Sequence, residues 1–257
     1  MMTKNKYNAS ELLICISSRL MENNATCFIG TGIPMLAASL AQRMHAPDLI
    51  SIFEFGGIGA KLEKLPLAVG DMRTFNKGLA AAGICDIMET AQRGFVEYGF
   101  LGGAQIDMYG NLNTTMIGDD HENPKVRLPG SGGGNDVGST CWKTIIIMQH
   151  DVRRFIPKVD FITTPGYLTG NGARENAGLP PNTGPYKVVT SLCTFGFDKE
   201  SKNMRLDALN PGVTVQDVID NTGFEILISE NVEYNLEPTD IELKILREEV
   251  DKERYYI

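Results

Sequence analysis

Residues 25–29 form an apolar run that stops at Gly30-Thr31-Gly32-Ile33-Pro34; a helical pattern follows over 35–44, and a second apolar run occupies 49–53. Few folds accept that order. A strand, a tight glycine turn, a helix and a second strand make a βαβ unit, whose strands lie parallel with the helix crossing between them. Pro34 suits the first turn of the helix, where a missing N–H costs no helical hydrogen bond. The spacing predicts an α/β fold built on an open, mostly parallel sheet with helices on both faces.

Glu54 follows the second run at once and leads into Phe55-Gly56-Gly57-Ile58-Gly59, so a carboxylate is delivered into a glycine-lined turn. Glycines let backbone or ligand approach closely. A carboxylate at a buried strand end loses water, which suits an acid, a base or a nucleophile. A strand-end acid satisfied by a neighbouring base or cap fits the same residues. Gly30-x-Gly32 with an acid 22 residues after Gly32 imitates a dinucleotide fingerprint, but Met35 stands at the third glycine position.

A second glycine segment, Gly130-Ser131-Gly132-Gly133-Gly134-Asn135-Asp136, lacks the Lys-Ser/Thr ending of a nucleotide-triphosphate loop. Its backbone N–H groups can face an oxyanion or a phosphate without side-chain obstruction; a flexible surface loop has the same composition. Asp119-Asp120-His121-Glu122 gathers metal-binding residue types. Sequence neighbours rarely all point inward, and the run reads as a solvated acidic turn.

Elsewhere, Ser10 reads as the N-cap of a first helix, residues 80–92 as a helix, and 95–101, 143–148 and 161–164 as strands. Residues 187–197 and 204–208 flank a polar stretch and predict a hairpin. Thr214 with Asp217, and Thr239 with Glu242, carry capping-box spacing for two late helices. The stretch 108–142, rich in Gly, Asn, Asp and Pro, is too long for an idle connection, and substrate contacts are expected there.

A length of 257 residues with 42% hydrophobic and 22% charged residues suits one soluble globular domain over 1–257. No apolar run approaches the roughly 20 residues that span a bilayer, and Met1-Met2-Thr3-Lys4-Asn5-Lys6 does not open a signal-peptide core. The expected location is the cytoplasm. A formal charge of −8 argues against a nucleic-acid surface. The five cysteines are widely spaced without a C-x-x-C pair, and the three histidines include no i, i+4 pair, so buried thiols and no metal site are expected.

Five ordered motifs resemble those of class I coenzyme A transferase β-subunits, and the likeness covers nearly the whole chain. They are Gly30-Thr31-Gly32-Ile33-Pro34; Phe53-Glu54-Phe55-Gly56-Gly57; Leu101-Gly102-Gly103-Ala104-Gln105-Ile106-Asp107 leading to Tyr109-Gly110-Asn111-Leu112-Asn113; the Gly130 to Asn135 loop; and Asn210-Pro211-Gly212-Val213-Thr214-Val215 with Asn221-Thr222-Gly223-Phe224. Ile117-Gly118-Asp119, Met148-Gln149-His150 and Arg153-Arg154-Phe155 are similar to glutaconate-type members. Many members have Ser-Glu-Asn-Gly around the nucleophile, where this chain has Phe-Glu-Phe-Gly.

The resemblance implies the CoA-transferase fold and a double displacement in which Glu54 forms an acyl-glutamyl anhydride and then a glutamyl-CoA thioester. Acyl-CoA and CoA enter as substrates, with no tightly bound cofactor and no metal. It implies an oxyanion and substrate loop at Gly132, Gly133, Gly134 and Asn135, and CoA contacts at Gly30, Gly32, Gly56, Gly57, Gly102, Gly103 and Gln105. An α-subunit completes an obligate hetero-oligomer. The acyl group it implies is a dicarboxylate such as glutaconate, with Arg73, Arg127 or Lys125 as counter-charge. A CoA-ester hydrolase or decarboxylase on the same fold is the alternative, although such relatives tend to lose the glutamate.

Overall fold

The computed structural model describes residues 6–257, so the first five residues of the opening read above lie outside the described residues. The chain divides into two compact units: one runs to Glu89 and takes in Leu236–Ile257, and the other is Thr90–Asn235.

In the first unit, helix α1 (Ala9–Ser18) starts on Asn8, whose side chain accepts from the Glu11 N–H while the Glu11 carboxylate accepts from the Asn8 N–H. Asn8 replaces Ser10 as the cap because only Asn8 has a glutamate three residues on to close the reciprocal pair. Strand β1 (Thr26–Phe28), helix α2 (Ile33–Met44) and strand β2 (Ile50–Ile52) then form the expected βαβ unit, with β1 and β2 parallel and Phe28 beside Ile52. Pro34 lies in the first turn of α2. Strands β3 (Gly57–Ile58) and β4 (Ala80–Ala81) extend the ladder antiparallel. Ala80 and Ala81, expected to be helical, complete this edge instead. Helix α3 (Ile84–Gln92) begins after Gly83, whose N–H donates to the Asp86 carboxylate.

Helices α1 and α2 pack together, and their Leu13, Ile14, Leu36, Ala37 and Leu40 are nearly solvent-free. A carboxyl-terminal helix, Asp240–Ile245, opens with the predicted Thr239–Glu242 capping box. It joins the first unit through Arg19–Glu242, and Arg247 in the following turn pairs with Glu11.

The second unit opens with strand β5 (Tyr98–Leu101), followed by two small antiparallel ladders, β6 (Gln105–Ile106) with β7 (Leu112–Asn113) and β8 (Met116–Ile117) with β9 (Val126–Arg127). Helix α4 (Gly134–Thr140), strand β10 (Lys143–Met148), the short helix α5 (Ala173–Asn176), strands β11 (Pro185–Thr190), β12 (Cys193–Phe197) and β13 (Met204–Leu209), helix α6 (Val215–Asp220) and strand β14 (Leu227–Tyr234) follow. The strand order is β5-β10-β11-β12-β13-β14. The first two pairings are parallel, β12 runs antiparallel to both its neighbours, and β13–β14 is parallel. The predicted hairpin is β12–β13, and the Thr214–Asp217 capping box opens α6.

Residues 161–164 do not form a strand. Phe161 and Ile162 have no face to bury against and stay exposed, and only Thr164 makes a bridge, to Leu112. The core of this unit gathers Ile106, Ile146, Phe155, Val188, Phe195 and Leu206. All but Phe155, which forms an isolated bridge to Ile106, come from the alternating inward positions of its strands.

Candidate active site

Gly30 and Glu54 stand two residues beyond the register pair Phe28 and Ile52, so the glycine turn and the carboxylate emerge side by side at the carboxyl ends of two parallel strands. Ligands of open α/β sheets bind at that end. The Ile29 N–H donates to the Ile52 carbonyl as the last rung between them. Beyond it, a Cβ added at Gly30 or Gly32 would meet nothing within 4 Å, and Gly32 has φ +83°, a conformation open to glycine. Space and bare backbone amides therefore flank the carboxylate on one side.

Glu54 sits in a turn closed by the Gly56 N–H on the Phe53 carbonyl, while the Phe53 N–H donates to Gly57. The two glycines beside it have a different role from Gly30. A Cβ at Gly56 would fall 1.9 Å from the Ala82 carbonyl oxygen, and one at Gly57 would fall 2.1 Å from that of Thr74. Both admit the protein's own backbone, which fixes the turn. Glu54 is half-buried, and its carboxylate has no hydrogen bond or ion pair among the described residues. An acid left without a partner beside open space is available to a substrate, unlike the capped strand-end acid that the sequence also allowed. Arg73, in the same unit, closes on the Asp71 carboxylate at 2.6 Å and donates to the Leu65 carbonyl, so its guanidinium is occupied.

The second unit holds the other residues singled out from the sequence. Gly102 and Gly103 follow β5, and Gly134 lies against its last residue: a Cβ there would sit 3.5 Å from the Leu101 side chain. Helix α4 approaches β5 so closely that a Cβ at Gly99 would meet the Val137 side chain at 2.4 Å. The Gly130 to Asn135 loop is thereby held at the carboxyl end of β5. The Gly134 N–H turns back to Ser131, whereas those of Gly132 and Gly133 have no acceptor among the described residues. The Asn135 side chain donates to the Thr163 carbonyl at 2.9 Å. Gln105 is buried: it donates to Asp160, and its carbonyl accepts from Asn113 and from the Asp160 N–H. Its amide supports the strand ends beneath the loop.

Residues 15–221 match the family model described as Coenzyme A transferase. The chain belongs to the coenzyme A transferase family. It is 39% identical to the B-type subunit of 3-oxoadipate CoA-transferase from Pseudomonas knackmussii, over 94% of this chain and 92% of that one. It is also 39% identical to the B-type subunit of glutaconate CoA-transferase from Acidaminococcus fermentans, over 98% and 95% of the two chains. The crystal structure of the Acidaminococcus fermentans glutaconate CoA-transferase superposes with a TM-score of 0.92 at 37% identity, covering 98% of each chain. The α/β fold and the family expected from the motifs are thus both found. Among the described residues no helix is long and apolar enough to cross a membrane.

Several residues that shape this coenzyme A transferase chain were not singled out from its sequence. Thr163 is 5% exposed; its hydroxyl accepts from the Thr114 N–H at 2.9 Å and bonds the Thr115 hydroxyl at 2.7 Å. Thr114 in turn holds Gly130 through both its backbone carbonyl and its hydroxyl. Arg174 is 1% exposed and makes no ion pair among the described residues; it donates to the carbonyls of Gly138, Ser139, Pro165 and Gly166 and to the Thr183 hydroxyl. Burial pulls its pKa down. Its charge faces the last carbonyls of α4, where a cation is favoured.

His150 stacks on Phe155 at 4.0 Å between the hydroxyls of Thr190 and Thr222, and burial pushes its pKa down to about 4. Cys193 lies 3.8 Å away with its thiol pushed up to about 12 by the same burial, so the pair is a neutral core contact and not a nucleophile with its base. Asp120 caps its own turn by accepting from the Glu122 and Asn123 N–H groups, which gives the acidic run a local task. The roles of Thr163, Arg174 and His150 depend on partners outside their own turn or on burial, and neither leaves a spacing signal.

Proposed function

We propose that this chain is the β-type half of an enzyme that moves coenzyme A between an acyl-CoA and a carboxylic acid, with Glu54 as the covalent carrier. The reading rests on one observation: Glu54 is half-buried, free of internal partners among the described residues, and level with the open Gly30 to Gly32 turn.

A Glu54 oxygen attacks the thioester carbonyl, the C–S bond breaks, and an acyl-glutamyl anhydride and CoA thiolate result. The thiolate attacks the glutamyl carbonyl and releases the donor carboxylate, leaving glutamyl-CoA thioester. The acceptor carboxylate then attacks that thioester and expels the thiolate. Attack of the thiolate on the acceptor's acyl carbonyl yields new acyl-CoA and restores Glu54. Splitting one exchange into such steps is nucleophilic catalysis. A carboxylate is a weak nucleophile while hydrated, and binding energy from the remote nucleotide end of CoA can offset its desolvation.

Each addition makes an oxyanion, for which unobstructed backbone amides are the matching donors. Gly30 and Gly32 line the approach of CoA to Glu54, while Gly56 and Gly57 act by holding the turn's own backbone. The other half is an α-type subunit, in line with the names of the two 39% identical relatives, each of which is one lettered half of its enzyme. The acid is a dicarboxylate of the glutaconate or 3-oxoadipate class, with no tightly bound cofactor required.

Glu54→Gln tests the reading. In the two-subunit enzyme this variant should lose at least about a thousandfold in transfer, the scale on which removal of a covalent nucleophile acts. Wild-type enzyme incubated with acyl-CoA should yield a Glu54 peptide carrying the adduct. A fully active Gln variant would remove Glu54 from the mechanism.

A further inference from the structure

The β12–β13 hairpin of the second unit lines a cavity of about 260 Å³ that includes none of the residues assigned to transfer. Register places Lys187 beside the Val188–Phe195 rung and pairs Gly196 with Arg205, so one face of three strands is basic. Lys199 and Lys202, from the hairpin's turn, reach the same cavity, and Tyr167, Tyr186 and Phe197 complete its wall. Four cations converge here in a chain whose net charge is −8.

Two carboxylates also line the cavity, and both are committed. Asp207 bridges Lys187 at 2.6 Å and Arg205 at 2.8 Å. Asp198 accepts from the N–H groups of Glu200 and Ser201 and from the Ser201 hydroxyl, closing the turn. Glu200, the remaining acid of the turn, does not line the cavity. Lys199 and Lys202 therefore have no carboxylate partner among the described residues.

Lys202 is also held in place. Its backbone has φ +62°, its N–H donates to the Asp198 carbonyl, and its ammonium lies 5.3 Å from the centre of the Tyr167 ring. Gly196 matters equally: a Cβ there would meet the Asp207 carboxylate at 2.2 Å and the Lys187 ammonium at 3.3 Å, so glycine lets that ion pair lie flat as the cavity floor. Two uncompensated ammonium groups, that of Lys202 held in place, over a neutralised floor match a compact anion bearing two or more charges.

We propose that this cavity binds a diphosphate-class anion, either inorganic or the diphosphate of a nucleotide. Lys199 and Lys202 supply the unmatched charge, and Arg205 and Lys187 supply further donors. Tyr186, exposed at the rim between the ammonium groups of Lys143 and Lys187, offers a stacking face to a base if the source is a nucleotide.

The probe is inorganic pyrophosphate, titrated by calorimetry at fixed ionic strength into the enzyme purified with its α-type half. Saturable binding is expected, weakened at least about tenfold in the Lys199→Glu/Lys202→Glu variant, with CoA transfer and the ligand-free melting midpoint unchanged. If that variant misfolds, Lys199→Gln/Lys202→Gln carries the test with the same expected direction. A parallel titration with ADP identifies the source: tighter binding than pyrophosphate, with the difference lost in Tyr186→Ala, means a nucleotide, and equal binding means the inorganic anion. No saturable heat from either probe, or an affinity unchanged in both lysine variants, overturns the proposal. Since transfer is read separately, loss of this site and failure of the Glu54 mechanism remain distinguishable.

Discussion

Around Glu54 the chain is held by main-chain atoms: Gly56 and Gly57 accept the carbonyls of Ala82 and Thr74 into the space their missing side chains leave, and strand pairing does the rest. Around the Gly130 to Asn135 loop it is held by side chains: Thr114 grips Gly130, Asn135 reaches the Thr163 carbonyl, Thr163 orders Thr114 and Thr115, and Arg174 draws the end of α4 onto the Pro165–Gly166 carbonyls. Both turns present bare glycine amides at the carboxyl ends of strands. A backbone-held turn fails when a side chain is added, whereas a side-chain-held loop fails when one is removed.

That contrast can be broken in three places, taken from the largest effect down. Gly56→Ala should be the most damaging. Its Cβ meets a carbonyl at 1.9 Å and its φ of +116° disfavours any side chain, so overpacking and backbone strain together cost about 3 kcal/mol. Thermal unfolding should fall by about 10 °C at that cost, and a midpoint within a degree of wild type would mean the turn is softer than described.

Next, Thr163→Val leaves the Thr114 N–H and the Thr115 hydroxyl without their buried partner, for a loss of about 1–3 kcal/mol. Thr163→Ser should recover most of the stability and, with it, transfer activity; equal damage from both variants would show that the methyl group, not the hydroxyl, holds the loop. Gly30→Ala is the mildest for folding, within about 0.5 kcal/mol, because nothing lies within 4 Å of the new methyl group. It should nonetheless slow transfer by about tenfold or more by occupying the approach to Glu54. Unchanged kinetics would leave Gly30 with no functional task.

The same contrast explains what was legible beforehand. The strand–turn–helix–strand order, Pro34 in the first turn of α2 and the capping boxes at Thr214 and Thr239 are local, and each stands where its spacing placed it. The turn that carries Glu54 was legible because it is made from adjacent residues. The network under the second loop was not: Asn135 and Thr163 are 28 positions apart, and Thr114 and Thr163 are 49 apart. Gly56 and Gly57 looked like ligand-facing glycines, yet their neighbours are Ala82 and Thr74, which only tertiary packing brings near. Local errors had local causes. Ser10 lost the cap to Asn8 through the Glu11 partner, and Ala80–Ala81 joined β3 because the exposed edge of a two-residue strand takes up any extended neighbour.

The unit that carries Glu54 is discontinuous, since Leu236–Ile257 joins it through Arg19–Glu242 and Glu11–Arg247 across more than 220 positions. On a ribosome, the intervening Thr90–Asn235 must all be synthesised before those contacts can form. The unit that carries Glu54 is therefore the last whose contacts can close, and a nascent chain halted before Leu236 lacks the carboxylate that pairs with Arg19 and the guanidinium that pairs with Glu11.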